Sequence, residues 1–527
     1  MRFRKTGSGK PPSKVKVSES IYISKNLNET ISYIKSELGD PSDLCISISK
    51  LGSNKDLSYA SIYIQNLVDI SRINTLSIEI SQIALSYDKL KSITSDGYFN
   101  IVKNNLSSFR KSQEGSDYET LINFLLSGGT ILLLEGCSKF LSIYTGATEG
   151  RSVQEPTSQT VIKGPKEGFT ERIDINIALL RKRIKNKDLR IEELSLGTMT
   201  NTKIVVMYID KIAKKEIIDE IKKRLSRIVI DNLSGSSYIE ELIKDDRYTI
   251  FPTFFNSERP DAIASQLIEG RVAIVLDGTP FAITAPAVMA EFFQSSEDYY
   301  HKFWVASFIR LIRYLSFFFA LLVPAIYIAL ITFNQEVIPT ALLISIAAQR
   351  EGLPFPAFLE AMLMEITFEI IREAGLRMPR AIGPTISIVG GLVLGQAAVE
   401  AGIVSSVLVV LVAITAVSSF AISNYAMSNA VRVLRFGLMV LAGLMGLYGV
   451  FMGMIIITLH LCKLKSIGVP YLTPFAPHIK GGYKDTIIRS PLWANKLKPV
   501  GISDDNTPRV DDENTVKNNQ KEKPEFR

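Results

Sequence analysis

The chain has 527 residues, of which 46% are hydrophobic and 21% are charged, and its formal net charge is +7. This length exceeds one ordinary domain, and a modest positive charge carried by lysines that alternate with acids argues against a nucleic-acid-binding stripe. Charges occur every few residues up to about residue 313 but are absent from 315–333, 401–431 and 436–462. Because a hydrocarbon core about 30 Å thick needs roughly 20 apolar helical residues, the sequence predicts a multi-domain membrane protein with a soluble N-terminal half.

The start of the chain predicts the compartment of the soluble half. The basic segment Met1 to Lys5 is followed by Gly, Ser and Pro, not by an apolar run. No secretory signal peptide is therefore expected, and the N-terminal half is expected in the cytosol. Cys45, Cys137 and Cys462 are far apart and odd in number, which predicts neither a disulfide framework nor a zinc site.

The soluble half contains a weak internal duplication. Residues 126–136 and 268–278 align without gaps, and each has a helix end, a glycine, an apolar strand and an acid–Gly turn. Asp277-Gly278 is a strong hairpin signal, because glycine adopts positive φ easily. Similar apolar strands occur at 58–64 and 203–209. The pattern predicts two similar α/β subdomains, although two generic helix–hairpin units could also look alike by chance.

The predicted organisation follows the chain in seven parts. In order these are a disordered basic arm (1–20), α/β subdomain 1 (21–150), α/β subdomain 2 (160–285), a connector (286–314), an α-helical transmembrane bundle (315–465), a membrane-proximal C-terminal segment (466–500) and a disordered tail (501–527).

Four spans are predicted in the bundle, with a fifth segment left open. The spans are about 315–333, 382–400, 403–422 and 436–460, and the possible extra or re-entrant segment is 334–350. Four spans return the C-terminus to the cytosol but put the loop with Arg432 and Arg435 outside, against the positive-inside tendency. A fifth span corrects the loop and moves the C-terminus outside, so charge counting leaves both topologies open. Arg310 and Arg313 are expected to mark the cytosolic edge of the first span.

An acidic helix is predicted after Pro354. Glu365, Glu369 and Glu373 are spaced by four residues and therefore share a face, and Arg372 is close enough to pair with one of them. This helix either lies in the membrane interface or lines an acidic aqueous vestibule.

The span at 382–400 carries polar residues on one face. Val389, Val393, Gln396 and Glu400 fall on a single stripe, where an amide and a carboxylate are expensive against lipid. Either this face packs against other helices, or in a ring of subunits it lines a pore with a valine gate and a Glu400 ring that favours cations. The helix-packing candidates in this span are Gly390, Gly391 and Gly395.

No enzyme site is predicted. The histidines His301, His460 and His478 are scattered without metal-ligand spacing. No complete phosphate loop, dinucleotide loop or nucleophile elbow occurs, so neither a metal nor another cofactor is expected.

A set of short motifs follows one another in a fixed order from about residue 163 to residue 477. They are Lys163 to Glu171, Asn176 with Leu180 to Arg183, Phe251-Pro252, Glu258-Arg259-Pro260-Asp261, Asp277 to Phe281, Asp298 to Tyr300, Ile338 to Thr340, Pro354 to Pro356, Met364-Glu365 with Phe368-Glu369, Arg372 to Gly375, Ile388 to Ala398 and Gly468 to Tyr471. In this order they resemble the A subunits of the GerA-type spore germination receptors. Thr253 and Ile467 depart from residues common in that family, and the first 160 residues match only in general pattern.

The resemblance implies a role in germination. Such subunits lie in the inner membrane of the dormant spore and act with a transporter-like B subunit and a lipoprotein C subunit. Nutrients trigger ion release, and the family picture is a homo-oligomeric A subunit that forms a ligand-gated ion channel. Under this picture the stripe at 382–400 becomes a pore candidate. The rival hypotheses are a secondary transporter, which the absence of a membrane repeat disfavours, and a membrane scaffold that anchors a cytosolic assembly.

Overall fold

The structure is a computed structural model that describes most of the chain. The described residues are 21–50, 58–87, 94–106, 108–109, 112–146, 155–156, 159–378, 383–479, 483, 485–495, 498–499, 501–503 and 509. In the helix Gly383–Glu400 the side chains are described from Gly390 onward, except Leu392. The predicted arm at 1–20 and almost all of the predicted tail lie outside these residues.

The chain divides into two compact units. The first holds the residues up to 152 together with Ile177–Glu192, and the second holds Val153–Asn176 with everything after residue 192. Residues 177–192, which belong to the predicted second subdomain, thus pack with the first unit. A buried bidentate ion pair explains this, because Nε and Nη2 of Arg181 each lie 2.8 Å from a carboxylate oxygen of Asp43.

The first unit is built on a five-stranded antiparallel sheet. Its elements are α1 (Leu27–Leu38), β1 (Leu44–Lys50), β2 (Ser58–Ile64), α2 (Ile70–Tyr87), α3 (Ser95–Asn105), β3 (Gln113–Gly115), α4 (Tyr118–Leu126), β4 (Gly129–Leu134) and β5 (Phe140–Tyr144), with strand order β1-β2-β4-β5-β3. Local signals set the helix ends. The Asn26 side chain caps α1 by accepting from the N–H groups of Asn28 and Glu29, and Gly39 ends it with a φ of 73°.

The second unit begins with a sheet of the same order. Its elements are α5 (Ile173–Arg183), β6 (Leu189–Leu196), β7 (Thr202–Ile209), α6 (Lys215–Leu225), α7 (Ser236–Ile243), β8 (Phe255–Ser257), α8 (Pro260–Ile268), β9 (Val272–Leu276) and β10 (Ala282–Ala285), with order β6-β7-β9-β10-β8; α5 and β6 cross the boundary between the units. Glycines that aligned in the sequence occupy equivalent turns. Gly128 and Gly270 have φ of 87° and 96°, and Gly136 and Gly278 have 84° and 85°.

The rest of the second unit is helical. It comprises α9 (Phe303–Thr332), α10 (Thr340–Arg350), α11 (Ala357–Arg377), α12 (Gly383–Glu400), α13 (Ser406–Ala421) and α14 (Tyr425–Lys463), followed by the short strands β11 (Lys465–Ser466) and β12 (Val469–Pro470). Within the described residues, α9 and α14 are long and apolar enough to cross a membrane, and α13 is a shorter apolar helix.

The helix that contains the first predicted span extends further toward the N-terminus than that span. It starts at Phe303, whereas the predicted span starts at 315, and Arg310 and Arg313 lie inside the helix and are buried. A charge-free run cannot detect this start, because the two arginines are neutralised by acids from other segments. Arg313 Nη1 lies 2.8 Å from Asp298 Oδ1, and Arg310 Nη1 lies 3.0 Å from Asp485 Oδ1.

The last predicted span, 436–460, is not one continuous helix. Gly446 has the non-helical values φ 61° and ψ −143°, and α14 turns back on itself there. A Cβ added at Gly453 would lie 2.4 Å from Leu438 Cδ2, and one at Gly449 would lie 2.1 Å from the carbonyl oxygen of Leu441. In a straight helix, residues 438 and 453 would be about 22 Å apart. The two halves of α14 therefore form an antiparallel helical hairpin.

The bundle has two ends that contacts define. At the proximal end, beside the connector and the second sheet, Ser423 Oγ donates to the carbonyl oxygen of Phe292, and Thr249 Oγ1 lies 2.9 Å from His460 Nε2. At the distal end, Gly446 lies against Phe333, just past the end of α9. Both ends of α14 are thus proximal, and its turn is distal.

The helices α9, α11, α12 and α13 alternate in direction between these ends. At the distal end, Tyr327 in the last turns of α9 lies 3.3 Å from Ser405, which caps α13. Glu360, in the first turn of α11, accepts from the same serine. The helix α11 thus runs from distal to proximal, α12 returns to the distal end, and α13 descends to Ser423. Arg432 and Arg435, predicted in the loop between the third and fourth spans, lie buried inside the rising half of α14.

Candidate functional site

The polar stripe lies on the open face of α12. Val393, Gln396 and Glu400 are all exposed, and Gln396 Nε2 donates to Glu400 Oε1 at 2.9 Å. Elsewhere on the helix Gly395 is buried and Val399 is half-buried, whereas Leu394 is exposed as well. The helix therefore has little buried surface and turns its amide and carboxylate away from the bundle. The side chain of Val389, the fourth predicted member of the stripe, lies outside the described set.

Two of the three predicted glycines mark where α12 approaches its neighbours. A Cβ added at Gly395 would lie 3.4 Å from Val409 Cγ1 on α13, and one at Gly390 would lie 3.9 Å from Ile371 on α11. A Cβ at Gly391 would meet nothing within 4 Å. Small residues thus hold α12 between α11 and α13 on the side away from the stripe.

The three acidic residues of α11 have different surroundings. Glu365 is fully buried and lies 3.0 Å from Arg435 Nη2 of α14. Glu369 lies 2.9 Å from the same nitrogen and also pairs with Arg372 and Arg432. Glu373 is exposed and pairs with Arg377 in its own last turn. Two of the predicted vestibule residues therefore belong to an enclosed ion-pair network between α11 and α14, and one faces outward.

This network lies in the middle of the bundle and is incompletely hydrogen-bonded. Arg435 is ten residues from the start of α14 and eleven from Gly446, or about 15 Å from either end. Among the described residues, both carboxylate oxygens of Glu365 and the Nε atom of Arg435 have no hydrogen-bond partner. The opposite charges stabilise each other mainly because they lie close together, not through well-formed hydrogen bonds. Removing either partner would therefore leave a buried charge without compensation.

A second buried carboxylate joins four segments at the distal end. Glu360 Oε1 accepts from the backbone N–H of Ser405 at 2.6 Å and from its hydroxyl at 2.7 Å. Its Oε2 lies 2.8 Å from Nη1 of Arg350, which also reaches Tyr327. The cluster fixes the short connection between α12 and α13. The sequence predicts an acidic helix after Pro354, but it contains no signal for the partners of Glu360.

A third cluster connects the first turns of α9 with the connector before it and with the C-terminal segment. Besides the arginine pairs described above, Tyr299 Oη donates to Asp485 Oδ2 at 2.8 Å. Burial raises the pKa of the Asp485 carboxyl above its usual range, and burial likewise raises the pKa of the Tyr299 hydroxyl. The connector, the start of α9 and the C-terminal segment are therefore joined by buried charges.

The motif Glu258-Arg259-Pro260-Asp261 lies at the start of α8. Pro260 occupies the first turn, Arg259 Nη2 lies 2.8 Å from Asp261 Oδ2, and Tyr300 Oη donates to the same oxygen at 3.3 Å. The carbonyl oxygen of Glu258 accepts from Phe169 N–H at 2.7 Å. These residues hold the connector and the segment before α5 against the second sheet, which is a structural task.

Metal binding finds no support in the described part of the chain, where no group of three His, Cys, Asp or Glu residues could hold an ion.

Comparison with known proteins finds a matching family and several similar proteins. Residues 32–500 match the family described as Bacillus/Clostridium GerA spore germination protein. The chain is 43% identical over 483 residues to spore germination protein KA of Bacillus subtilis (strain 168), covering 92% of this chain and 88% of that protein. It is 38% identical to spore germination protein B1 of the same organism, covering 91% and 97%.

One solved structure is also similar. The crystal structure of the N-terminal domain of the A subunit of the Bacillus megaterium spore germinant receptor GerK3 is 32% identical, with a TM-score of 0.41, over 51% of this chain and 98% of that one. The match along most of the chain, to the family and to these relatives, leads to one conclusion. The chain belongs to the GerA family of spore germination proteins.

Proposed function

We propose that this chain is the A subunit of a nutrient germinant receptor in the spore inner membrane, where copies of it form a ligand-gated channel that releases cations. The observation that carries the proposal is the open polar face of α12. Gln396 and Glu400 are paired only with each other in the described part of the chain and lie on the outer surface of one bundle. Contact of this amide and carboxylate with lipid would cost free energy, whereas contact with water or with another protein surface would not.

The direction of the helices supports this membrane placement. With α14 counted as two passes, α9, α11, α12, α13 and the two halves of α14 make six crossings, instead of the four or five predicted. Six crossings return the C-terminal segment to the side of the N-terminal half, and we assign that side to the cytosol. The conflict over Arg432 and Arg435 is removed, because Glu369 neutralises part of their charge inside the bundle.

The subunit composition is proposed from the family. The A subunit acts with a transporter-like B subunit, which binds the germinant, and with a lipoprotein C subunit. Binding on a partner shifts a closed ring toward an open one if the open ring binds the liganded partner better. In the ring, Val389 and Val393 form the apolar constriction and Glu400 selects for cations at the distal mouth. Glu373, exposed at the proximal part of α11, is the acid left to face a cytosolic vestibule.

Conductance of the full chain reconstituted in liposomes tests this function. Val393→Ala widens the constriction and is expected to raise cation leak several-fold. Leu394→Ala is the matched control, because Leu394 is also exposed and loses a similar volume but points about 100° away around the helix. Glu400→Gln is expected to lower the preference for cations over anions. Equal conductance of Val393→Ala and Leu394→Ala would instead favour a scaffold without a conduit.

A further inference from the structure

We propose that a basic cleft between α6 and α7, at the foot of the last membrane helix, binds the headgroup of an anionic membrane lipid. The cleft has a volume of about 470 Å³ and is lined by four cationic side chains and one carboxylate, Asp245. The cationic residues are Arg224, Arg227, Lys244 and Arg247.

The cleft is built on an arginine that is itself fully engaged. Arg224 Nη2 donates to Asp245 Oδ1 at 2.7 Å, its Nε donates to Glu220 Oε1 at 2.8 Å, and its Nη1 donates to the carbonyl oxygen of Ile243 at 2.6 Å. Arg224 offsets one of the two carboxylate charges, and its three hydrogen bonds fix the distance between the two helices. Arg227, Lys244 and Arg247 add three further positive charges, so the opening is net positive.

Two contacts place the cleft at the proximal end of the membrane bundle. Asp245 Oδ2 accepts from the backbone N–H of Gly468, five residues after the end of α14 at Lys463. Thr249 bonds to His460 in the last turn of α14. Since Arg247 is only two residues from Thr249, its backbone lies within about 7 Å of a residue that touches the membrane helix. The cleft therefore opens where that helix leaves the bilayer.

Apolar side chains next to the cleft point to a lipid and not to a soluble anion. Tyr248 is 94% exposed and Val229 is 86% exposed, and Leu242 and Ile250 are about half exposed. Exposing these apolar side chains to water costs free energy, whereas a lipid headgroup region accommodates a tyrosine and aliphatic side chains beside lysine and arginine. The combination of cations that attract phosphate and apolar groups that enter the acyl boundary is the signature of an interfacial lipid contact.

The occupant is thus a phospholipid of the membrane that α14 crosses, with a net negative headgroup such as a phosphatidylglycerol. The inference rests on the membrane placement of α14 and not on conduction through α12, so Val393→Ala should leave lipid binding unchanged.

The test uses the purified full chain in a neutral detergent with an equal mixture of phosphatidylglycerol and phosphatidylcholine. The retained lipids are extracted and quantified by mass spectrometry. The variant is Arg227→Ala/Arg247→Ala, which leaves Arg224 and its partners intact. The matched control is Arg172→Ala/Lys215→Ala, which removes the same charge from exposed positions of the same unit outside the cleft.

The wild-type chain should retain phosphatidylglycerol in excess, and the cleft variant should lose that excess by roughly five-fold for each cation removed. The control variant should keep it. An equal loss in both variants would overturn the proposal, because the excess would then reflect total charge. Displacement of the retained lipid by millimolar inorganic phosphate would also overturn it, since the cleft would then serve a soluble anion. Circular dichroism of both variants checks that they are folded.

Discussion

The helices α12 and α14 of one bundle both carry charged and polar side chains but place them in opposite surroundings. The rising half of α14 encloses Arg435 between itself and α11, where Glu365 and Glu369 compensate it. The helix α12 turns Gln396 and Glu400 away from the bundle. A polar group inside a membrane needs a partner, and the two helices differ in whether that partner lies within the chain or beyond it.

The difference separates folding from assembly. Charges compensated inside one chain contribute to the stability of that chain and set the distance between α11 and α14. Polar groups left on the surface contribute little to the monomer but decide what can lie against it. Substitutions in α14 should therefore change the free energy of unfolding, and substitutions on the α12 stripe should change assembly and conduction.

Arg435→Met is expected to have the largest effect. It leaves Glu365 buried without a counter-charge, and breaking a buried pair from one side costs about 3–5 kcal/mol. The free energy of unfolding should fall by that amount, measured on the purified full chain in detergent by titration with dodecyl sulfate.

Two further variants test whether the uncompensated charge of Glu365 causes this loss. Arg377→Met removes an arginine from an exposed pair on the same network's helix and should cost less than about 1 kcal/mol. Adding Glu365→Gln to Arg435→Met should recover part of the loss, because the uncompensated charge is removed. Equal losses for Arg435→Met and Arg377→Met would mean that the α11–α14 network is as hydrated as the surface.

Gly446→Ala is expected to have the next largest effect. It changes the residue at which α14 turns back on itself. The backbone there has φ 61° and ψ −143°, which strains any residue with a side chain. The new Cβ would lie 2.7 Å from the Phe333 Cβ and 2.8 Å from Asn334 Oδ1, which accepts from Leu447 N–H. A loss of about 2–3 kcal/mol is expected in the same titration.

The matched control is Gly437→Ala, at a regular helical position of the same hairpin where a Cβ meets nothing within 4 Å. Its stability should stay the same or rise slightly, since alanine favours helix. If both glycine variants behaved alike, residues 425–463 would form one long helix and the count of six passes would be wrong.

Local signals in the sequence predicted the parts of the fold that depend on local chemistry. The aligned glycines of the two sheets occupy turns with positive φ, because such turns are set by the few residues around them. The stripe on α12 follows from helical periodicity alone, and the residues of it that the structure describes share one open face. Spacing likewise put Glu365 and Glu369 on one side of α11.

Long-range partners decided what the sequence could not predict. The helix α9 begins twelve residues before the predicted span, and a charge-free run could not show this because Arg310 is neutralised by Asp485 from the other end of the chain. The pairing of Glu365 with Arg435 joins residues seventy positions apart, and an acidic stripe alone looks the same whether it faces water or arginine. The turn at Gly446 depends on Asn334 from another segment, so an uninterrupted apolar run concealed it.

Gln396→Leu is expected to have the smallest effect on the isolated chain and so defines the other side of the comparison. The Gln396 amide bonds only Glu400 among the described residues and is exposed, so its replacement should change the free energy of unfolding by less than about 0.5 kcal/mol. In liposomes, however, the same change puts an apolar group on the proposed pore wall and frees Glu400, so cation conductance should fall several-fold. Leu394→Ala, at an exposed position about 160° from Gln396 around the helix, is the control and should leave conductance unchanged. A Gln396→Leu chain that is markedly destabilised but conducts normally would mean that the α12 stripe serves packing within the chain, and the contrast with α14 would disappear.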